Sequence, residues 1–274
     1  MAAKVKAIVL TGYGTNCETE MAHACRLGGA DQVDIVHMSE LIRGDYVLDD
    51  YQFLNLPGGF LDGDDLGAGQ AGAHRWQHAV TKKNNEPLRE QLARFIKEGK
   101  LILGVCNGFQ LMVKTGLFPG FAGNYGHRLV SLTHNDSGRF EDRWVTLKVG
   151  DDTPCVFTRG LSTLYFPVRH GEGKFVVQDP AVLDRIKQEK LIALQYIDPT
   201  SGTPTMEYPA NPNGSPEAIA GLCDPTGRLF GLMPHPEAFL HRTNHPRWTR
   251  EELPEEGQGV ALFRNAVDFI RHNL

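Results

Sequence analysis

Leu101-Ile102-Leu103-Gly104-Val105-Cys106-Asn107-Gly108 is the stretch that decides the fold. Residues 101–105 form an unbroken apolar run, the signature of a strand covered on both faces, since a half-exposed strand would alternate. A helical pattern over 109–115, closed by Gly116, follows without space for a hairpin. A strand that passes directly into a helix is part of a β–α–β unit, and such units build parallel sheets. The upstream chain repeats this alternation. Strands are expected at 5–10, 33–37 and 53–56, and helices at 18–27 and 86–98. The second of these helices places Leu88, Leu92, Phe95 and Ile96 on one face, with Gly99 at its C-terminal cap. Residues 60–73, rich in Gly and Asp, read as a long loop. The first 120 or so residues therefore predict an α/β fold, an open and mostly parallel sheet flanked by helices. After that the pattern changes. Short strands between turns are expected at 144–149, 164–168, 191–196 and 219–222, which inserts antiparallel β elements. A buried strand returns at 229–233, and an amphipathic helix at 260–273 buries Val260, Phe263, Val267 and Ile270. Residues 1–274 read as a single domain, with an exposed insertion at 241–258.

Composition narrows the function classes. With 41% hydrophobic and 22% charged residues the chain has the balance of a globular protein. A net charge of −5 argues against nucleic-acid binding, which needs a basic face to displace counterions. No apolar run approaches the roughly 20 residues that cross a bilayer. The start, MAAKVKAIVLTGYG, reads as a strand and turn rather than a signal peptide, so a cytoplasmic location is expected, with no membrane partner. Five cysteines, an odd number with no CxxC pair, favour neither a disulfide framework nor a metal site.

Three short motifs carry chemistry. Gly104-Val105-Cys106-Asn107-Gly108 has the G-x-nucleophile-x-G form of a nucleophile elbow. Its glycines admit a sharp strand-to-helix turn, which lifts the thiol above the sheet at a positively polarised helix N-terminus. The backbone N–H of Asn107 is then placed to bind an oxyanion. Read alone, the same motif is equally a buried cysteine in a tight turn. Met233-Pro234-His235-Pro236-Glu237 follows the 229–233 strand. A cysteine nucleophile needs a base, which His235 can supply, and a carboxylate to orient the imidazole, which Glu237 can supply. An isolated His-Pro-Glu is more often a surface turn. Leu56-Pro57-Gly58-Gly59-Phe60, at another strand end, can turn N–H groups toward a ligand and provide a second oxyanion donor. All three follow expected parallel strands, and the carboxyl ends of such strands form the ligand crevice of open α/β sheets.

In this order, PGG, GVCNGFQ and HPE resemble the class I glutamine amidotransferases with a Cys-His-Glu triad. GTNCE (14–18), PGGFLDGDDLGAG (57–69), NDSGRF (135–140), RHGEGKF (169–175), NPNGS (211–215) and GLMPHPE (231–237) are similar to the glutaminase part of phosphoribosylformylglycinamidine synthase. The resemblance runs from about residue 5 to about 240. It implies a flavodoxin-like sheet and hydrolysis of L-glutamine to glutamate and ammonia through a thioester on Cys106. His235 would be the acid/base and Glu237 its orienter. Gly59 and Asn107 would form the oxyanion hole, with Gly58 as an alternative donor. Gln110 matches a substrate-holding position, and Asn135, Ser137 and Phe140 would border the same pocket. No metal or cofactor is expected on this chain. ATP and Mg belong to a separate formylglycinamidine ribonucleotide synthetase, which receives the ammonia for purine biosynthesis, and a small adaptor subunit is a further possible partner. His170, Glu172 and the acidic loop 62–65 would face that synthetase. The chain is longer than a compact stand-alone glutaminase, with the excess expected at 74–85 and 241–258. A non-catalytic assembly module and a different cysteine hydrolase on the same fold are the competing readings. The segments NDSGRF and RHGEGKF disfavour the second, since a generic hydrolase has no need of them.

Overall fold

The structure is a computed structural model that describes residues 4–274. Five strands are mutually parallel: β1 (Lys6–Thr11), β2 (Gln32–His37), β3 (Phe53–Leu56), β4 (Leu101–Val105) and β11 (Leu229–Leu232). Their order is β2-β1-β3-β4-β11, the flavodoxin-like winding. Four more strands extend the sheet antiparallel: β10 (Ile219–Cys223), β9 (Ile192–Tyr196), β6 (Glu141–Val149) and β7 (Thr163–His170). β5 (Val130–Thr133) and β8 (Lys174–Val177) make a separate two-stranded ribbon.

Every residue of β3, β4, β10 and β11 is buried, which requires cover on both faces of the sheet. Two helix groups supply that cover. α1 (Glu18–Leu27) packs with α7 (Gly259–Asn273), whereas α3 (Gln70–His78) packs with α4 (Leu88–Lys97) and α5 (Asn107–Lys114). The apolar stripe expected of α7 is fully buried at Val260, Phe263, Val267 and Ile270. Phe53 of β3 sits 5.9 Å from Phe157 and 6.5 Å from Phe263 between ring centroids, joining sheet and helix in one aromatic cluster. Each such side chain contributes about 1.5–3 kcal/mol of burial.

Some expectations are corrected. The loop read at 60–73 ends at Gly69, and α3 begins at Gln70. Trp76 of α3 is buried, so part of the supposed excess at 74–85 is core. Two further helices had no counterpart in the sequence reading, α2 (Met38–Arg43) and α6 (Pro180–Gln188). α6 carried readable signals, because Asp179 caps the N–H groups of Ala181 and Val182 and Pro180 follows it. Residues 241–258 hold no strand or α-helix; they form a 3-10 turn at 242–244, further turns at 246–250 and an isolated bridge between His241 and Glu256, and their side chains are mostly exposed. No described helix is long and apolar enough to cross a membrane.

Candidate active site

Cys106 is the hinge between β4 and α5. Its φ of +51° and ψ of −105° lie outside the wells open to L-residues. Such a conformation costs about 1–3 kcal/mol and survives only where the surroundings enforce it. Here the enforcement is visible. The Cys106 N–H donates to Leu232 O at 2.8 Å, which ties the turn to β11. A Cβ added to Gly108 would lie 1.9 Å from Leu56 O, and one added to Gly104 would lie 2.5 Å from Met112 Sδ. The glycines on either side of the elbow are thus required by close approach of β3 and α5. The Cys106 thiol is 95% buried and faces Arg169 O at 3.5 Å.

His235 and Glu237 arrive from the end of β11. The His235 N–H donates to Pro167 O of β7 at 2.8 Å, so the edge strand of the antiparallel half folds back onto the rim of the parallel half. His235 Nδ1 and Glu237 Oε1 are 2.5 Å apart, and both residues are 2% exposed. Burial alone would push the His235 imidazole down. The Glu237 carboxylate and contacts with two thiols, Cys106 and Cys17, outweigh it and hold His235 well above its ordinary value. The imidazole is therefore strongly basic although it is buried.

Cys17, at the start of α1, was not singled out as a site residue, yet it lies against His235. Burial raises its pKa, and its contact with His235 opposes the rise. The available signal was position: the GTNC turn follows β1, whose C-terminal end shares the rim with β3 and β4. Around these groups lies a cavity of about 430 Å³, walled among others by Asn16, Gly59, Gln110, Phe140 and Glu172. A cysteine thiol, an imidazole, a carboxylate and a polar cavity thus meet at the carboxyl ends of the parallel strands.

Comparisons with known proteins give the family. Residues 4–270 match the family model of the CobB/CobQ-like glutamine amidotransferase domain. The chain is 42% identical to the phosphoribosylformylglycinamidine synthase subunit PurQ of Methanococcus maripaludis, over 97% of each chain. It is 44% identical to the PurQ subunit of Dehalococcoides mccartyi, over 98% of this chain and 99% of the relative. The chain belongs to the PurQ family of glutamine amidotransferases. The solved structure of PurLQS from Thermotoga maritima contains a chain that superposes with a TM-score of 0.69 at 28% identity, covering 98% of this chain and all of that one. The M. maripaludis and D. mccartyi relatives align along nearly their whole length, so the chain's length is ordinary among them and is not an excess.

Within this PurQ-family site the sequence candidates separate. Gln110 lies in the cavity wall, where its amide donates to Glu172 O at 2.7 Å and accepts from Asn107 Nδ2 at 3.0 Å. Phe140 lines the mouth and is 55% exposed. Gly59 lines the cavity at φ +134°, and the PGG turn is held there by Asn16 N–H to Gly58 O and Phe60 N–H to Gly14 O. Gly58 packs beneath His235 instead. Asn107 begins α5, and its side chain points to the loop, accepting from Leu61 N–H at 3.0 Å. Two candidates are corrected. Ser137 donates to Glu141 Oε1 at 2.6 Å and lines a neighbouring cavity with Arg139 and Tyr208. Asn135 is buried behind the site, where its amide binds Arg139 O, His170 O and Gly173 N–H. The expected partner-facing residues also move. His170 is 2% exposed, Glu172 Oε2 accepts from Ala68 N–H, and Asp62 pairs with Arg75 at 2.8 Å. His170 and Glu172 belong to the cavity wall, and so does Asp64.

Proposed function

We propose that this glutaminase subunit uses Cys106, His235 and Glu237 as its catalytic triad. The observation that carries the reading is the 2.5 Å contact of His235 Nδ1 with Glu237 beside a cysteine held at positive φ. The Cys106 proton passes to His235 while Sγ attacks the side-chain amide carbon of L-glutamine. The carbonyl oxygen becomes an oxyanion, met by the backbone N–H groups of Asn107 and Gly59, with Gly58 the alternative donor. His235 returns the proton to the leaving nitrogen, and ammonia departs from a γ-glutamyl thioester. Water then attacks the thioester carbon and gives its proton to His235; the C–S bond breaks, glutamate leaves, and His235 returns the proton to the Cys106 sulfur. Glu237 fixes the imidazole tautomer, with Nδ1–H toward the carboxylate, and supports the imidazolium between steps. Gln110 and Phe140 sit where substrate enters, and no step calls for a metal.

The ammonia feeds a separate synthetase that carries ATP and Mg and converts formylglycinamide ribonucleotide to formylglycinamidine ribonucleotide. The names of the relatives and the assembled PurLQS structure support this. A small adaptor subunit is a further partner of this reading, and the complex works in the cytoplasm. Residues 1–274 act as one amidotransferase domain with a surface insertion at 241–258. The test is Cys106→Ala in the reconstituted complex. It abolishes glutamine-dependent synthesis and leaves synthesis from ammonium chloride intact. Loss of both activities would assign Cys106 to folding or docking and refute the reading.

A further inference from the structure

His170 ends β7 in the cavity wall, and its side chain has one ring nitrogen in use and one free. Nδ1 lies 3.1 Å from Asn135 Oδ1. The orientation of the Asn135 amide is settled by its other partners. Nδ2 donates to Arg139 O at 2.9 Å and to His170 O at 2.8 Å, and Oδ1 accepts from Gly173 N–H at 2.9 Å. An oxygen therefore faces His170, and Nδ1 must carry the proton that bonds to it. The ring is then the Nδ1–H tautomer, and Nε2 presents a lone pair. That atom is buried and has no partner among the described residues. A buried acceptor without a donor costs about 1–3 kcal/mol, so its persistence calls for a ligand that donates to it.

The position indicates which part of the substrate donates. Arg169 O, on the residue before His170, is 3.5 Å from Cys106 Sγ, and the His235 imidazole is near enough to disfavour charge on His170. The ring is also packed against Gly173, where an added Cβ would fall 2.3 Å from His170 Cε1. We propose that His170 Nε2 accepts a hydrogen bond from the side-chain amide nitrogen of glutamine and holds that nitrogen as ammonia once the C–N bond to the side-chain carbonyl carbon breaks. This rests on the glutaminase reading above. A neutral acceptor suits the task. Glu20, Asp64 and Glu172 also line the cavity, and a carboxylate would favour ammonium, which is not a nucleophile. Burial, and after it the His235 charge, depresses the His170 pKa to about 3, so the ring binds N–H without itself becoming charged.

The test uses the complex with its synthetase and two variants, His170→Phe, which keeps a ring against Gly173, and His170→Gln, which retains an acceptor. His170→Phe lowers kcat for glutamate release about tenfold, the loss of one hydrogen bond to the leaving nitrogen, with KM for glutamine within about twofold. His170→Gln recovers most of kcat, and ammonium-dependent synthesis is unchanged in both. Wild-type kcat in His170→Phe, a change confined to KM, or equal losses in the two variants would each overturn the proposal. A wild-type complex that released no glutamate would instead refute the parent reading. Should His170→Phe fail to fold, 15N NMR of the histidine-labelled wild-type chain decides. An unprotonated Nε2 at neutral pH is expected, and an Nε2–H tautomer would overturn the proposal.

Discussion

Gly58→Ala perturbs the His235 imidazole while leaving every proposed catalytic atom in the chain. A Cβ on Gly58 would lie 2.8 Å from His235 Cε1, 3.3 Å from Cys17 Sγ and 3.5 Å from His235 Nδ1. Carbon pairs settle at about 3.5–4.0 Å, so the ring has to move by about 0.7 Å or more. Backbone strain adds nothing, because Gly58 is not among the residues at positive φ, and alanine retains the N–H. The ring is the part that yields, but it is not free to do so. Glu237 holds Nδ1 at 2.5 Å, Pro167 O holds the His235 N–H at 2.8 Å, and α7 presses on the turn at Gly259, where a Cβ would meet Pro236 O at 1.8 Å. The crowding costs stability of about 1–3 kcal/mol, the usual range for overpacking.

The larger effect falls on the chemistry. Misplacement of a catalytic group by about 1 Å costs roughly 100-fold, equivalent to about 2.7 kcal/mol of barrier. For Gly58→Ala the expected loss in kcat/KM for glutamine hydrolysis is 10- to 100-fold, on the order of 1.4–2.7 kcal/mol. The assay is glutamate release by the complex, with ammonium-dependent synthesis as the control for docking and thermal unfolding as the control for folding. A folded Gly58→Ala variant with glutaminase activity within about threefold of wild type would refute the argument that the PGG turn sets the position of His235.

Two further outcomes follow from the same geometry. Glu237→Gln preserves shape but removes the charge that supports the imidazolium, so kcat falls by about 10²–10⁴-fold with KM little changed; a loss under fivefold in steady-state assays would contradict the orienting role. Acid unfolding reports on His170. Its folded pKa of about 3 lies below the ordinary 6.5, so the unfolded chain binds the extra proton and stability declines as pH falls from about 6.5 toward 3. His235, shifted the other way, loses its contribution only above pH 6.5 and does not confuse that window. Between pH 6.5 and 5 the His170 share is about 2 kcal/mol, read as a lower urea midpoint, and a slope unchanged in His170→Gln would show that another group is responsible.

What could be read in advance depended on how local the cause was. Apolar runs at 101–105 and 229–232, and at 53–56 where only Asn55 breaks the run, announce buried parallel strands, because covering both faces leaves little room for alternation. The Cys106 elbow is equally local, since its glycines answer to contacts within one β–α turn and the strand beside it. α3 was obscured because QAGAHRWQH offers few apolar side chains and a glycine, and the helix is stabilised by packing of Trp76 rather than by its own propensity. β5 and β8 pair across 41 to 47 positions, from Thr133 opposite Lys174 to Val130 opposite Val177, and nothing short-range marks that partnership.

The site shows the same division. Cys106, His235 and Glu237 lie in compact motifs that carry their own conformational reasons. Ser137 looked equivalent to them in NDSGRF but turns to Glu141, four residues on, a choice made by strand pairing of β6 with β7. Cys17 and His170 were legible only as members of family segments. Neither becomes part of the centre until β1 delivers its turn to the rim and β7, last in the sheet order, folds back so that Pro167 meets His235. Asn135 then gains its meaning from His170, because three hydrogen bonds that orient one amide select which imidazole nitrogen is left free. The residues hardest to foresee are thus those whose chemistry is assigned by a second residue remote in the chain, and for these the fold supplies the functional information that no local pattern holds.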